Sequence, residues 1–177
     1  MGNILTYRDE IVKAMQLLSE NDKVIFIGQT ILYPGNVIYR TLEGISASRK
    51  IEVPIMEDAQ MGMSIGLSLE GYIPVSIYPR MDFLILATNQ LVNHLDKIEE
   101  MSSGRFKPKV IIRTMVGATK PLYPGLQHCS DYSEALARLL KNVAIYKLDD
   151  VKYILPAYIK ALKDERSTIL IEMGDLY

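Results

Sequence analysis

At 177 residues the chain is long enough for one compact domain with a sizeable core and too short for two ordinary ones. Its hydrophobic content of 49% and charged content of 23% are those of a globular chain, and 20 Lys and Arg against 21 Asp and Glu give no reason to expect nucleic acid or an anionic membrane as partner. A single cysteine excludes an internal disulfide framework and suits a reducing compartment, so a cytoplasmic protein is expected.

The first six residues lack the basic start and apolar run of a secretory signal, and Met1-Gly2 is too little to indicate myristoylation. No apolar stretch approaches the roughly 20 residues of a membrane span. Thr6 and Asp9 form a capping-box-like start, after which Ile11, Ala14, Met15 and Leu18 recur at helical spacing. Asn21-Asp22 breaks that helix before Val24-Ile25-Phe26-Ile27-Gly28, a short apolar run that reads as a strand buried on both faces. Tyr33-Pro34-Gly35 marks a turn, and a helix is predicted over roughly 36–42. A second buried strand, Ile51-Glu52-Val53, and Pro54 lead into a helix carrying Met61, Ile65 and Leu69 on one face. The third strand runs from Ile73 to Tyr78 with its proline near the beginning, where the ladder can spare a donor. One long helix is predicted from Phe83 to Ile98, with Phe83, Ala87, Leu91 and Leu95 in register. Further strands are predicted from Lys109 to Arg113, Asn142 to Leu148 and Thr168 to Glu172, with helices begun by Asp131 and Glu134 and by Asp149-Asp150.

This alternation predicts an α/β fold, a doubly wound and mostly parallel sheet with helices on both faces, formed by residues 1–177 as a single domain. Ligands of such sheets sit beyond the carboxyl ends of the strands. Gly28-Gln29-Thr30, Met56-Glu57, residues 78–83 and the loop 114–130 therefore surround one expected site.

Glu57 follows a strand and a proline and opens a helix, where free amides and the helix dipole favour a carboxylate. Acidic residues also decorate ordinary first turns, and spacing alone leaves both readings open. Gly62 and Gly66 place a bare stripe on the same helix, suited to close approach by another helix, by a ligand or by the domain itself. His128 lies in the loop at the expected site, where an imidazole orients or protonates a substrate or is simply solvated. Tyr78 and Phe83 follow a strand; their rings either stack on a heteroaromatic ligand or pack in the core. No His, Cys or carboxylate cluster in the sequence has metal-ligand spacing, and neither a dinucleotide fingerprint nor a phosphate loop is present.

These segments carry a family resemblance. Pro54-Ile55-Met56-Glu57, with Gly62, Gly66 and the later Gly71-Tyr72-Ile73-Pro74-Val75, resembles the P-I-T-E segment, glycine offsets and G-x-x-P-V of the beta subunits of pyruvate and other 2-oxo-acid dehydrogenases. Asp82-Phe83 resembles the family's N-F, Asn89-Gln90-Leu91-Val92-Asn93 its D-Q-I-I-N, Met101-Ser102-Ser103-Gly104 its M-S-G-G, and Gln127-His128 its Q-H. Lys109 to Arg113 resembles P-I-V-F-R; Leu5-Thr6-Tyr7-Arg8-Asp9 also fits, and the segment from Ile171 to Tyr177 resembles L-E-N-E-L-L-Y. The matches are collinear over essentially the whole chain.

The resemblance implies a transketolase-like pyrimidine-binding domain that binds thiamine diphosphate. Glu57 would hydrogen-bond the pyrimidine N1′ nitrogen, Phe83 and Tyr78 would wall the aminopyrimidine, and Gln29 would stand near the cofactor. His128 would face the substrate or acyl acceptor. A 2-oxo acid would be decarboxylated, or its acyl or ketol unit transferred. The G-D-G…N pattern that binds the diphosphate and magnesium is absent, so the resemblance assigns that half to an alpha-like partner chain in an α2β2-type or homo-oligomeric assembly. A C-terminal domain of the transketolase type is also absent. The alternative is a non-catalytic relative that serves assembly or regulation. Departures fall at Gly28-Gln29-Thr30 for G-E-D, at Tyr78-Pro79-Arg80-Met81 for F-M-T-F and at Arg113-Thr114-Met115-Val116-Gly117 for R-G-P-N-G, and they alter the substrate side of the pocket.

Overall fold

The computed structural model describes residues 6–177; Met1 to Leu5, and with them the N-terminal signal and acylation expectations and the first residue of the Leu5 to Asp9 motif, lie outside the described residues. Helix α1 (Tyr7–Ser19) opens on the expected capping box, Thr6 Oγ1 accepting from the Asp9 amide at 3.1 Å and Asp9 accepting from the Thr6 amide at 3.2 Å. There follow β1 (Val24–Gly28), the short α2 (Val37–Thr41) capped by Asn36, β2 (Lys50–Glu52), α3 (Glu57–Leu69) and β3 (Ile73–Tyr78). The chain continues through α4 (Met81–Leu84), α5 (Ile98–Met101), β4 (Ile111–Val116), α6 (Ser133–Leu139), β5 (Ala144–Leu148), α7 (Val151–Lys163) and β6 (Thr168–Met173). The strands form one six-stranded sheet in the order β2-β1-β3-β4-β6-β5, every neighbouring pair parallel. No helix among the described residues is long and apolar enough to cross a membrane.

Three expectations need correction. The single helix predicted from Phe83 is instead α4, a 3-10 turn at Ile85–Ala87, a π-helical stretch at Gln90–Leu95 and then α5. Ala87, Leu91 and Leu95 are four residues apart and all buried. In an α-helix each such step drifts about 40° off the contact face, and the wider π turns cancel that drift. The strand expected from Lys109 begins at Ile111 and runs on to Val116. Strand β2 is only half-buried, because it lies at the sheet's edge with one neighbour.

Alternation along the strands feeds two cores. Val75, Ile77, Ile111 and Leu170 pack against Ile11 and Met15 of α1, Ile38 of α2 and Ile154 of α7. Tyr78, Ile112, Ile169 and Ile171 face the other way, against Met61 and Ile65 of α3, Leu91 and Leu95, and Leu136 of α6. Apolar burial on both sides of a parallel sheet is what holds such strands.

Two opposite charges interrupt the first core. Arg113 of β4 and Glu172 of β6, both fully buried, form a bidentate pair, with Nε to Oε1 at 2.6 Å and Nη2 to Oε2 at 3.0 Å. The Tyr158 hydroxyl of α7 donates to Oε1 at 2.6 Å, the Tyr177 hydroxyl donates to Oε2, and Arg113 Nη1 donates to Thr41 Oγ1 at 2.8 Å. Burial alone would favour loss of the Arg113 proton, but the charge of Glu172 overrides it and holds the guanidinium charged. Burial first, then the Glu172 charge, pushes the Tyr158 and Tyr177 phenols up, so both remain donors. Removing one member of such a pair strands the other charge in a dry core, at a cost of about 3–5 kcal/mol. In urea unfolding Arg113→Met is expected to lose stability of that order, and adding Glu172→Leu to recover much of it. Equal losses in the single and double variants would show that packing, not charge matching, governs this site.

Candidate functional site

The strand order reverses between β1 and β3, and the crevice at their carboxyl ends is where a doubly wound sheet receives ligands. Gly28 ends β1 there; a Cβ on it would stand 2.8 Å from the Ile77 carbonyl oxygen, so only glycine lets the two strands meet at this point. The chain then turns through Thr30, whose φ is +56°. That turn is held by Glu52 at the end of β2, whose carboxylate accepts from the amides of Thr30, Ile31 and Leu32 at 2.5, 2.8 and 2.9 Å. Three amides converging on one carboxylate make a small anion nest, and this one is filled from within the chain. Gln29, 8% exposed, lies at the mouth, and its side chain makes no hydrogen bond among the described residues.

Glu57 is the first residue of α3 and is 5% exposed. Among the described residues its carboxylate has neither a hydrogen bond nor an ion pair, whereas exposed Asp58 beside it accepts from Gln90 Nε2 at 3.2 Å. The helix is held from beneath by polar contacts with β3. Gln60 Nε2 donates to Ser76 Oγ at 3.2 Å and to the Ile77 carbonyl at 3.0 Å, and Ser64 Oγ donates to Ser76 Oγ at 3.0 Å. The Tyr78 hydroxyl reaches the Glu57 carbonyl at 3.4 Å.

That contact corrects the expectation for Tyr78. Its ring is fully buried in the second core with Met61 and Met81, because even-numbered residues of β3 face α3, and no ring face is left for a ligand to stack on. Burial pushes its phenol well above the ordinary range, so it is a neutral donor that supports the start of α3. Phe83 fares differently. It is half-buried on α4, and its ring meets the His128 imidazole edge to face, with centroids 5.6 Å apart and planes at 85°. The structure thus pairs Phe83 with His128 and Glu57 with Tyr78, and α4, starting three residues after Tyr78, joins the two pairs.

Sequence reading noted Arg80 as part of a departure but not what it does. Its Nη1 donates to the carbonyls of Gly117 and His128, the latter at 2.7 Å, and so ties both ends of the loop 117–128 to the exit of β3. The same loop is pinned to the turn after β6. The Asp175 carboxylate accepts from the Thr119 amide at 2.6 Å and the Lys120 amide at 3.3 Å, contacts that hold it below the usual carboxylate range. Cys129 points its sulfur at the Ala118 carbonyl, 3.9 Å away. His94 is exposed on the π-helical stretch. Of the Gly62-Gly66 stripe, Gly62 faces Gln90 and a Cβ on Gly66 would meet nothing within 4 Å, so the fold itself does not use the gap at Gly66.

No family model matches the sequence. Among curated proteins, the beta subunit of the mitochondrial pyruvate dehydrogenase E1 component of Caenorhabditis elegans is 28% identical over 184 residues, a stretch covering 99% of this chain and 50% of that protein. The corresponding subunit of Rhizobium meliloti is 27% identical over 179 residues, covering 98% and 38%, and the 2-oxoisovalerate dehydrogenase subunit beta of Bacillus subtilis is 26% identical over 181 residues, covering 99% and 54%. Solved structures of the same fold include a split-gene transketolase described as an inactive beta4 tetramer (TM-score 0.71, 20% identity, 94% of this chain and 51% of that one). Another is the transketolase of Campylobacter jejuni (TM-score 0.74, 16% identity, 96% and 26%). The chain spans about half the length of the curated relatives it matches. Its sequence is similar over nearly its whole length to the beta subunits of pyruvate dehydrogenase E1, and its α/β fold is one that transketolases share.

Proposed function

We propose that this chain supplies the pyrimidine-binding half of a thiamine-diphosphate site in a two-chain enzyme that decarboxylates a 2-oxo acid or transfers the resulting acyl or ketol unit. One observation carries the reading. Glu57 is buried at the crevice where the strand order reverses, yet nothing among the described residues is bonded to its carboxylate. A carboxylate that no group of its own chain engages is free to hydrogen-bond a ring nitrogen brought into the crevice.

The other residues fit the same group. Phe83, fixed by His128 and still half-exposed, offers a ring for the aminopyrimidine, and Gln29 borders the crevice with an uncommitted amide. When bound, thiamine diphosphate supplies the carbon nucleophile and the electron sink that a 2-oxo carbon requires. The chain's own part is to set the Glu57 carboxyl against the ring nitrogen and to present the His128 imidazole to an anionic substrate or acceptor. By the resemblance, diphosphate and magnesium would be held by an alpha-like partner chain. The outward face of α3 suits that assembly. Met63 is 44% exposed and Gly66 is open, and Ile55, 83% exposed, precedes the same helix. Exposed apolar residues grouped in this way mark a contact surface.

Glu57→Gln is expected to leave unfolding and assembly unchanged and to lower turnover of the reconstituted two-chain enzyme roughly 10²–10⁴-fold. Failure of the mixture to bind thiamine diphosphate with magnesium in a calorimetric titration would defeat the cofactor reading and leave an assembly module. Met63→Arg is expected to shift the partnered complex toward smaller species in analytical ultracentrifugation without changing the secondary structure of the chain. An unaltered distribution would place the interface elsewhere.

A further inference from the structure

A second cleft opens at the carboxyl edge of the sheet, on the other face. It measures about 590 Å³, a size that fits a small ligand. Its floor and one wall are Val37, Ile38 and Met115, and Arg80, Lys120 and Leu122 close it from the loop side. Val37 and Ile38 belong with the core that packs under α1 and α7, whereas Tyr78 and Met81 belong with the core under α3. Glu57, Phe83, His128 and Gln29 do not line it.

We infer that this cleft binds a small organic anion, its carboxylate held by the guanidinium of Arg80 and its apolar body lying on Val37, Ile38 and Met115. The guanidinium is fixed in advance. Nη1 is committed to two main-chain carbonyls, which sets the plane of the fork. Nε and Nη2 donate to nothing among the described residues, and no described carboxylate lies within ion-pair distance of Arg80. A planar donor edge oriented by the backbone is the geometry that receives a carboxylate through two parallel bonds, and fixing it beforehand lowers the entropy lost on binding. Lys120 adds a second positive charge at the rim. Of the nearby acids, Glu172, behind Tyr177, is paired with Arg113, while Asp175 and Asp82 keep their charges and accept from the amides of Thr119 and Lys120 and of Ser130. The free donor edge of Arg80 selects a carboxylate, and the apolar remainder of the wall favours an apolar body over a bare inorganic ion. Glu57 takes no part, so the inference does not rest on the cofactor reading.

The test is calorimetric titration of the whole chain, without cofactor, with 4-methylpentanoate, its neutral amide and inorganic phosphate. The acid is expected to bind, the amide not to, and the acid's affinity to fall as salt is raised. Arg80→Gln is expected to weaken the acid roughly ten- to a hundredfold. Because Arg80 also ties down the loop, a second variant is needed. Leu122 is 78% exposed on the rim and touches no clamp, so Leu122→Glu leaves the fold alone while setting a negative charge at the mouth. It is expected to weaken the acid several-fold. Equal binding of acid and amide, or full affinity in Leu122→Glu, would overturn the inference. Phosphate binding as tightly as the acid would overturn the apolar part of the ligand assignment.

Discussion

The pairing of Arg113 with Glu172 is the constraint from which the carboxyl edge of the sheet takes its shape. Two charges removed from water have no substitute partner in an otherwise apolar layer, so the strands that carry them must keep the register that lets them meet. That register sets Met115 opposite Glu172 and Arg113 opposite Leu170, with the two charges diagonal neighbours on one face. The two phenols that complete the carboxylate come from α7 and from Tyr177, and the hydroxyl that completes the guanidinium comes from Thr41 at the end of α2. Helices on one side and the turn after β6 are thereby tied to the same central strands. An apolar pair would fill the volume without specifying any of these partners.

Above this pair, the loops at the carboxyl edge are held by polar contacts to main chain rather than by packing. Glu52 gathers three amides of the turn after β1, Asp175 takes two amides of the loop after β4, and Arg80 binds two carbonyls of the same loop. Gly174 completes the arrangement, since a Cβ there would stand 2.5 Å from the Ala118 nitrogen. Charged side chains spent on backbone groups fix loops that carry few apolar residues able to fix themselves. Surfaces built this way are formed before a ligand arrives, the condition under which a crevice binds without a large ordering cost.

What the sequence revealed follows the same division. Strand positions such as Val24 to Gly28 were legible because a run of apolar residues ending in glycine has few other uses, and the parallel arrangement followed from the alternation of elements. Glu57 stood out by its place after Pro54 and by the motif around it. The helical breaks after Leu84 were hidden because the buried residues keep a four-residue spacing that an α-helix also tolerates over short distances. For Tyr78 the residues alone left core and ligand open, and the resemblance set it at the cofactor, whereas the face it occupies decides for the core. The even-numbered residues of β3, Pro74, Ser76 and Tyr78, all turn to α3. Arg113 and Glu172 merely close the strands expected from sequence, and the diagonal that joins them exists only once β4 and β6 are neighbours. Arg80 has no local signal at all, since both carbonyls it holds lie more than thirty residues away.

Three glutamates of the chain are buried, and their surroundings separate structure from function. Glu10 is paired with Lys13 at 2.7 Å, across one turn of α1. Glu172 accepts from a guanidinium and two phenols. Glu57, at 5% exposure, has no bonded partner among the described residues, although Tyr78, Ser76 and Gln60 are spent beneath it on holding the first turns of its helix. Of the three, it alone is left available to a group from outside its own chain. It stands where strands β1 and β3 part, at the crevice that the topology dictates. Placement by topology and a carboxylate without a partner among the described residues are independent observations, and they meet at one residue.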